Sequence, residues 1–297
     1  MVLDFIKIRF NLKQEHNIEI SHQSIENILL KSDYEFDYEN WSYSGYYLFD
    51  SLWVKINGVW MYLLALFDVK LNTIVSIKLV ESEDSETIYQ FLDDSLRNQK
   101  KISIGTDLKH EYRKSIDKLK VKHHFCKFHV KQRINKRFRN YFDKNKLDEK
   151  SIDRLINLKQ LIFQLLDAET LDESKNIQDK LINFKCENNK FIKKLLWNFI
   201  IPHFKKLTTH LENQYIPPTN NKIENIFQKV FPKHIKRTMK IENGLLKRFM
   251  LKLNHWNIKN ENDFFMFLLL CKVHKNSISK NLTFHKGVHI ISGVKEK

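Results

Sequence analysis

The first clear pattern along the chain is a series of short apolar runs rich in aromatic and β-branched residues. Residues 46–54 fit a strand, and Asn57-Gly58 is a two-residue sequence typical of a hairpin turn. Residues 59–69 are predicted as the returning strand, and residues 73–80 as a third strand beyond a turn at Leu71-Asn72. The pattern therefore predicts three consecutive strands.

Helix and strand patterns alternate in the next part of the chain. Residues 82–97 have helical periodicity with one apolar face, and a short β-rich run follows over 101–106. A basic helix is then predicted over 109–119 and a fifth strand over 121–128. The order β-β-β-α-β-α-β predicts an α/β fold with a mixed sheet flanked by helices.

The chain changes to an almost wholly helical pattern after residue 129. Four segments rich in Lys, Leu, Ile and Asn have this periodicity: 130–142, 151–166, 172–186 and 188–211. The segment 215–221 contains two prolines and breaks the pattern, so the next helix is predicted to begin near Asn220 or Asn221. Two more helices are predicted over 241–253 and 261–273.

The N-terminal part is predicted to hold a short helix over residues 18–30, capped by Ser21. Such a helix is either the recognition helix of a helix-turn-helix or a packing helix, and the sequence leaves both interpretations open. No signal peptide is recognised, and the longest apolar stretch, residues 264–271, is too short to span a bilayer. We therefore expect no membrane partner.

Composition adds a strong positive charge to this picture. The chain has 51 Lys+Arg against 35 Asp+Glu, a net charge of +16, which favours a polyanionic partner over the alternative of a basic enzyme without one. Three widely spaced cysteines do not form a disulfide framework, so we expect a protein of the reducing cytoplasm.

Two clusters of basic residues are the candidate DNA-binding groups, the alternative being a solvated helix face. Two aromatic residues, Phe138 and Tyr141, lie within or next to the first cluster in the sequence. The two clusters are Lys131, Arg133, Lys136, Arg137 and Arg139, and then Lys229, Lys233, Lys236 and Arg237.

Three acidic residues have positions that suggest chemistry. Asp50 interrupts an apolar strand, Asp107 ends a β-rich run, and Glu224 follows the proline break on a helix. A buried carboxylate is costly unless it is paired or binds a metal, and hard divalent cations prefer oxygen ligands. With 35 acidic residues in the chain, chance placement is the competing explanation, and Asp68 and Asp94 are competing candidates.

Four segments, in order, resemble the motifs of DDE insertion-sequence transposases. The segment 47–68 is similar to the hairpin that opens with the first catalytic Asp, and 104–112 to the strand ending in Thr-Asp. The segment 124–129 resembles the Cys-x-x-His motif of Mutator-like transposases, which is expected in the strand after the Thr-Asp motif. The segment 218–227 is similar to the third motif, Thr-Asn-Asn-x-x-Glu.

The resemblance implies a ribonuclease-H-like core, interrupted by an all-helical insertion before the last catalytic carboxylate. Asp50, Asp107 and Glu224 would then be the catalytic and metal-binding residues, with two Mg²⁺ or Mn²⁺ ions as cofactors. The implied function is DNA cleavage and strand transfer at insertion-sequence ends, by a homodimer on double-stranded DNA at the nucleoid. The implied segments are 1–44 (N-terminal helical), 45–129 (core, first part), 130–214 (insertion), 215–274 (core, last part) and 275–297 (polar tail).

Two alternatives remain beside this function: a truncated or inactive DNA-binding derivative of a transposase, and a nuclease on the same fold. The stretch before the first motif is short for the family, so we expect a shortened DNA-recognition region. Cys126 and His129 supply only two zinc ligands, so we expect a structural or DNA-positioning role for them. Asp68 is expected to form a turn and to lie outside the catalytic set.

Overall fold

The computed structural model describes residues 42–185, 189–232 and 240–260, with shorter segments at 9–10, 12–14, 17–21, 23–24, 27, 34–35, 272–273, 282–285 and 288–291. Of the helix predicted over 18–30, residues 18–21, 23–24 and 27 are described, and only 23, 24 and 27 among them are helical. The helix predicted over 261–273 lies outside the described residues except at 272–273. The chain divides into two compact units. One comprises residues 42–54 and 60–227, and the other comprises 1–41, 55–59 and 228–297.

A five-stranded mixed sheet contains the strands β1 (Tyr46–Ile56), β2 (Val59–Asp68), β3 (Thr73–Val80), β4 (Ser103–Thr106) and β5 (Lys122–Phe125). Their order across the sheet is β3-β2-β1-β4-β5. Strand β3 is antiparallel to β2, whereas β4 is parallel to both β1 and β5. This is the order of a ribonuclease-H-like sheet, and the predicted α/β fold class is confirmed.

Two turns at asparagine build the antiparallel part of the sheet. Asn57 and Gly58 have φ values of 45° and 86°, the positive values that the tightest hairpin turn requires. Asn72, with φ at 56°, lies in the second turn. The buried Asp68 carboxylate accepts two backbone N–H groups of this turn at 3.0 Å each, which confirms its expected role as a turn residue.

Two helices pack on one another and on β1. Helix α1 (Ser85–Ser95) begins after Asp84, whose side chain accepts two backbone N–H groups of the first turn. Helix α2 (His110–Leu119) follows β4. The ring of Phe49 in β1 lies 6.0 Å from Phe91 of α1 and 4.9 Å from Tyr112 of α2, centroid to centroid. These contacts anchor the strand that carries Asp50.

A stretch of helices follows β5, as the periodicity predicts. It contains α3 (Lys127–Lys144), α4 (Glu149–Asp167), α5 (Leu171–Ile182), α6 (Lys190–Leu195) and α7 (Phe204–Thr208). Apolar residues at helical spacing form one buried cluster, to which α3 contributes Ile134 and Phe138 and α4 contributes Leu158 and Ile162. An all-helical segment thus lies between the five-stranded sheet and the proline break at 215–221.

The prediction of a single helix over 188–211 is wrong, because the described part of this segment forms several short helices. A π-helical turn, Leu196–Ile200, follows α6, and the Ile201 N–H donates to the Leu196 carbonyl at 2.9 Å. Pro202 comes next and has no N–H to continue the ladder, so α7 starts again only at Phe204.

The fifth strand is shorter than predicted, and this changes the position of two motif residues. Strand β5 ends at Phe125, which is paired with Thr106, the last residue of β4. No neighbouring β4 residue remains for Cys126 to pair with in this register, and α3 begins at Lys127. Cys126 and His129 therefore lie at the start of a helix, and their predicted placement in a strand is wrong.

Helices α8 (Asn221–Val230) and α9 (Glu242–Asn260) come after the proline break, and α8 begins where the sequence predicts. Two short antiparallel pairs complete the described elements: Tyr34–Glu35 with Lys272–Val273, and Leu282–His285 with Val288–Ile291. The second pair is a hairpin within the segment expected to be a loosely held polar tail. Among the described helices, none has both the length and the apolar character needed to cross a membrane.

Candidate active site

Parallel pairing of β1 and β4 brings two aspartates to the same end of the sheet. Leu48 is paired with Gly105, and Asp50 and Asp107 each lie two residues further along. Residues two apart in a strand point to the same face. Gly105 permits the close strand packing, because a Cβ there would lie 2.2 Å from Nε2 of the buried His124. The predicted juxtaposition of Asp50 and Asp107 thus follows from the register.

Asp50 is the most perturbed carboxylate of this region. Burial raises its pKa to about 7, the negative charge of Asp107 adds to this rise, and so does that of Glu224. A hydrogen bond from the Ser51 backbone N–H to Oδ1, at 2.8 Å, and the charge of Lys109 act in the opposite direction. The charges of Asp107 and Glu224 both act on Asp50, which indicates that the three carboxylates lie near one another; their catalytic and metal-binding roles stay a prediction.

Asp107 lies directly after β4, where the chain leaves the sheet. Burial raises its pKa, whereas the backbone N–H of Lys109, which donates to Oδ1 at 2.8 Å, lowers it. The positive charges of Lys109 and His129 also lower this pKa, and the negative charge of Glu83 raises it. Asp107 is thus set between cationic groups and further carboxylates.

Glu224 reaches the same region from the first turn of α8. Its backbone N–H donates to the Asn220 carbonyl at 3.2 Å. Its Oε1 atom is buried and accepts no hydrogen bond from the described residues, and it lies 3.8 Å from Nδ1 of His129. A buried carboxylate oxygen without a donor is costly unless a cation is bound to it.

The donor set fits a hard divalent cation. Asp50, Asp107 and Glu224, here called the carboxylate triad, offer oxygen ligands, which Mg²⁺ and Mn²⁺ prefer. Positive charge would relieve the repulsion that raises the pKa of Asp50, and it would satisfy Oε1 of Glu224. The residues present therefore fit the ions that the sequence resemblance implies.

A buried network beside the triad was missed by the sequence reasoning. The Glu83 side chain, only 8% exposed, accepts hydrogen bonds from Ser51 Oγ and Tyr112 OH. Lys109 Nζ donates to both Glu83 carboxylate oxygens, at 2.9 and 2.8 Å, and to Tyr112 OH at 3.1 Å. Glu83 has acidic neighbours at positions 81 and 84, so nothing in the local sequence distinguishes it. The network fixes Lys109 next to Asp107.

A basic pocket of about 930 Å³ opens from the triad along α3. Three of the predicted DNA-binding residues line it and lie on one side of α3, away from the buried Ile134 and Phe138: Arg133, Lys136 and Arg139, here called the basic face. The sequence reasoning did not select the other polar lining residues for DNA binding: Lys109, Gln132, Asn135 and Lys159. Lys159 lies on α4, so its place in the pocket could be predicted only from the packing of α4 against α3.

The remaining predicted DNA-binding residues lie elsewhere. Lys131 Nζ is paired with Asp167 at 2.6 Å, and the Arg137 guanidinium lies 5.2 Å from the centroid of the Phe199 ring. Lys229 is exposed near the end of α8. Lys233, Lys236 and Arg237 lie outside the described residues. A DNA-binding role for these residues stays a prediction.

Cys126 and His129 are held close to Glu224 by backbone hydrogen bonds. The Lys127 N–H donates to the Pro218 carbonyl at 2.8 Å, and the Asn220 N–H donates to Cys126 Sγ at 3.3 Å. The pKa of His129 is raised to about 9, mainly by its hydrogen bond to Cys126 and further by the negative charges of Glu224 and Asp107. The Cys-x-x-His motif therefore lies beside the triad.

The sequence comparisons agree with this geometry. Residues 46–162 match the family described as a DDE domain, of the IS240 transposase type. This part of the chain is thus similar to a DDE domain. The matched residues include Asp50, Asp107 and all the residues that line the basic pocket, whereas Glu224 lies beyond them.

A protein of a known insertion element is similar over most of the chain. The relative, from Methanobrevibacter smithii, is described as "Insertion element ISM1 uncharacterized 48.3 kDa protein". It is 33% identical over 248 residues, which cover 82% of this chain. The match covers 61% of the relative's own length, so the chain spans less than two thirds of it.

A solved structure is also similar to part of the chain. It is the cryo-EM structure of the simian T-cell lymphotropic virus intasome in complex with the PP2A regulatory subunit B56 gamma. The match is 14% identical, covers 48% of this chain and 60% of that chain, and has a TM-score of 0.25. The overlap is too small to bear on the fold, which rests on the strand order described above.

Proposed function

We propose that this protein catalyses divalent-metal-dependent DNA cleavage and strand transfer at the ends of an insertion sequence. The observation that carries the proposal is the parallel register of β1 and β4, which brings Asp50 and Asp107 to the same end of the sheet; the charge of Glu224 also acts on Asp50. Strand β1, the end of β4 and the start of α8 supply one carboxylate each. The DDE domain supports the same reaction class.

The triad would hold two Mg²⁺ or Mn²⁺ ions. When bound, such ions lower the pKa of an attacking water or 3′-hydroxyl and stabilise the leaving oxygen in phosphoryl transfer. The protein's own contribution is the rigid placement of the three carboxylates by the sheet and by α8.

The basic pocket would position the DNA backbone relative to the triad. Lys109, which is paired with Glu83, lines the pocket next to Asp107. The basic face of α3 lines the part of the pocket that lies further from Asp107. Contacts of this kind set the register of DNA without reading its sequence. Both the transposon end and the target DNA would use this surface.

Two features of the proposal concern assembly and location. Joining two transposon ends to one target requires two active sites, so we propose that a homodimer forms on the DNA. Because the substrate is genomic DNA, the protein would act at the nucleoid, in the cytoplasm.

The test uses double-stranded DNA that carries the terminal repeats flanking the gene. Wild-type protein should cleave this DNA with Mg²⁺ or Mn²⁺ and join a pre-cleaved 3′-hydroxyl end to target DNA. Asp50→Asn, Asp107→Asn and Glu224→Gln should each abolish both reactions and leave DNA binding largely intact. Asp94→Asn is the matched control, since the Asp94 side chain is 57% exposed on α1 and should retain wild-type activity.

The outcomes also separate the alternatives. Cleavage of wild-type rate by any triad variant would contradict the assigned site. Cleavage without joining would indicate a nuclease on the same fold. DNA binding without cleavage at any metal concentration would indicate an inactive transposase-derived binding protein.

A further inference from the structure

Three side chains with different donor atoms meet beside the triad. Cys126 precedes the first turn of α3, His129 lies within that turn, and Glu224 lies in the first turn of α8. One sulfur, one imidazole nitrogen and one carboxylate oxygen from these residues all lie within 4.8 Å of one another. Nδ1 of His129 is 3.8 Å from Oε1 of Glu224.

The surroundings of these atoms favour a bound cation over an ordinary polar contact. Oε1 of Glu224 is buried without a hydrogen-bond donor among the described residues. Cys126 is buried and forms no disulfide, and its sulfur accepts the Asn220 N–H at 3.3 Å. Hydrogen bonds to a ligand sulfur of this kind orient metal ligands. His129 and Glu224 are 28% and 26% exposed, which leaves an entry path for an ion.

The donor set differs in chemistry from the carboxylate triad. Thiolate sulfur and imidazole nitrogen select borderline-soft cations such as Zn²⁺, whereas Mg²⁺ prefers oxygen alone. Zinc lies about 2.0–2.3 Å from such ligands in a tetrahedral site, so ligand atoms in contact with it are roughly 3.5 Å apart. The 3.8 Å between His129 and Glu224 is close to this separation.

We propose that Cys126, His129 and Glu224 form a site for a soft divalent cation such as Zn²⁺. Three protein ligands leave the fourth position open to water or to a phosphate oxygen. Sequence reasoning found only two ligands, because Glu224 is about a hundred residues away in the chain and reaches the motif through the fold. Zinc binding releases the thiol proton of Cys126 and the extra imidazole proton of His129 to solvent.

The site shares Glu224 with the carboxylate triad, and this gives the soft cation a regulatory effect. A Glu224 carboxylate bound beside Cys126 and His129 is less available to the ions held with Asp50 and Asp107. Zinc would therefore inhibit Mg²⁺-dependent DNA cleavage. This consequence rests on the proposed function, whereas zinc binding itself does not.

The binding test uses the full chain and Co²⁺, because a Co²⁺–thiolate bond absorbs strongly in the near ultraviolet. Wild-type protein should bind one Co²⁺ with this absorption, and Zn²⁺ should displace it. Cys126→Ser should remove the absorption, and His129→Gln should weaken binding by at least about 10- to 100-fold, the loss that even outer-shell changes cause. Cys271→Ser, chosen on the sequence, is the matched cysteine control and should behave as wild type.

The results overturn or support the proposal in each case. Absence of the thiolate absorption in folded wild-type protein contradicts it, as does its persistence in Cys126→Ser. If Cys126→Ser fails to fold, undiminished Co²⁺ affinity in His129→Gln contradicts it instead.

Asp50→Asn separates the two sites. This variant should lose Mg²⁺-dependent cleavage and keep the Co²⁺–thiolate absorption. Retained cleavage in this variant would contradict the catalytic role of the carboxylate triad alone, whereas absence of the absorption from the wild type would contradict the soft-metal site alone. Inhibition by Zn²⁺, expressed as a fraction of each variant's own activity, should be weaker in His129→Gln than in the wild type.

Discussion

Replacing Asp50 with asparagine should stabilise the metal-free protein at neutral and alkaline pH. The pKa of this carboxyl rises from 3.8, its ordinary value, to about 7 in the folded protein. At about 1.4 kcal/mol for each pKa unit, ionised Asp50 costs the folded state roughly 4 kcal/mol, as an upper limit. Asparagine keeps the acceptor for the Ser51 N–H and removes the charge.

The sign of the pH dependence follows from the raised pKa. The folded protein retains a proton on Asp50 that the unfolded chain has lost, so wild-type stability falls as pH rises from about 4 to about 7. The advantage of Asp50→Asn should therefore grow by up to roughly 3 kcal/mol between pH 5 and pH 7 and stay level above that.

Urea unfolding in the presence of EDTA, at pH 5, 7 and 8, measures this difference. Asp94→Asn is the control, because it removes an exposed charge and should show little change with pH. Added Mg²⁺ should then stabilise the wild type at pH 8 and have a much smaller effect on Asp50→Asn. An advantage of the variant that is absent, or equal at pH 5 and pH 8, would refute the reasoning.

Further predictions concern the network, the pocket and the sheet. Glu83→Gln weakens the partly buried pair with Lys109 and should lower the free energy of unfolding, measured in urea, by about 1–3 kcal/mol. The control Glu86→Gln weakens an exposed pair with Lys118 and should lower it by less than about 1 kcal/mol. Alanine at all three positions of the basic face should weaken DNA binding and reduce the salt dependence of affinity by up to about three phosphate contacts. An unchanged salt slope would exclude this face. Gly105→Ala places a methyl group 2.2 Å from His124 and should destabilise the protein by about 1–3 kcal/mol; wild-type stability would contradict the packing described.

The strand part of the fold was predictable because its signals are local. Short apolar runs rich in aromatic and β-branched residues define β1 to β3, and the Asn57-Gly58 turn fixes the hairpin. The positions of Asp50, Asp107 and Glu224 on their elements also followed from such patterns. Their convergence was predicted from the family resemblance, and the parallel register of β1 and β4 accounts for the juxtaposition of Asp50 and Asp107.

The parts that could not be predicted depend on contacts between distant segments. Glu83 became distinct only through its buried contact with Lys109, and Lys131 only through its pair with Asp167 on α4. The position of Cys126 depended on where β4 ends, since pairing stops there. No periodicity in the local sequence contains this information.

Iron-directed cleavage of the polypeptide tests the central claim, the convergence of the carboxylate triad on one cation site, most directly. Fe²⁺ bound in place of Mg²⁺ produces hydroxyl radicals that cut the backbone next to the ion. The account predicts cuts near Asp50, Asp107 and Glu224 together, suppressed by excess Mg²⁺ and absent in Asp50→Asn. Cuts near Glu224 that leave the segments around Asp50 and Asp107 intact would contradict it.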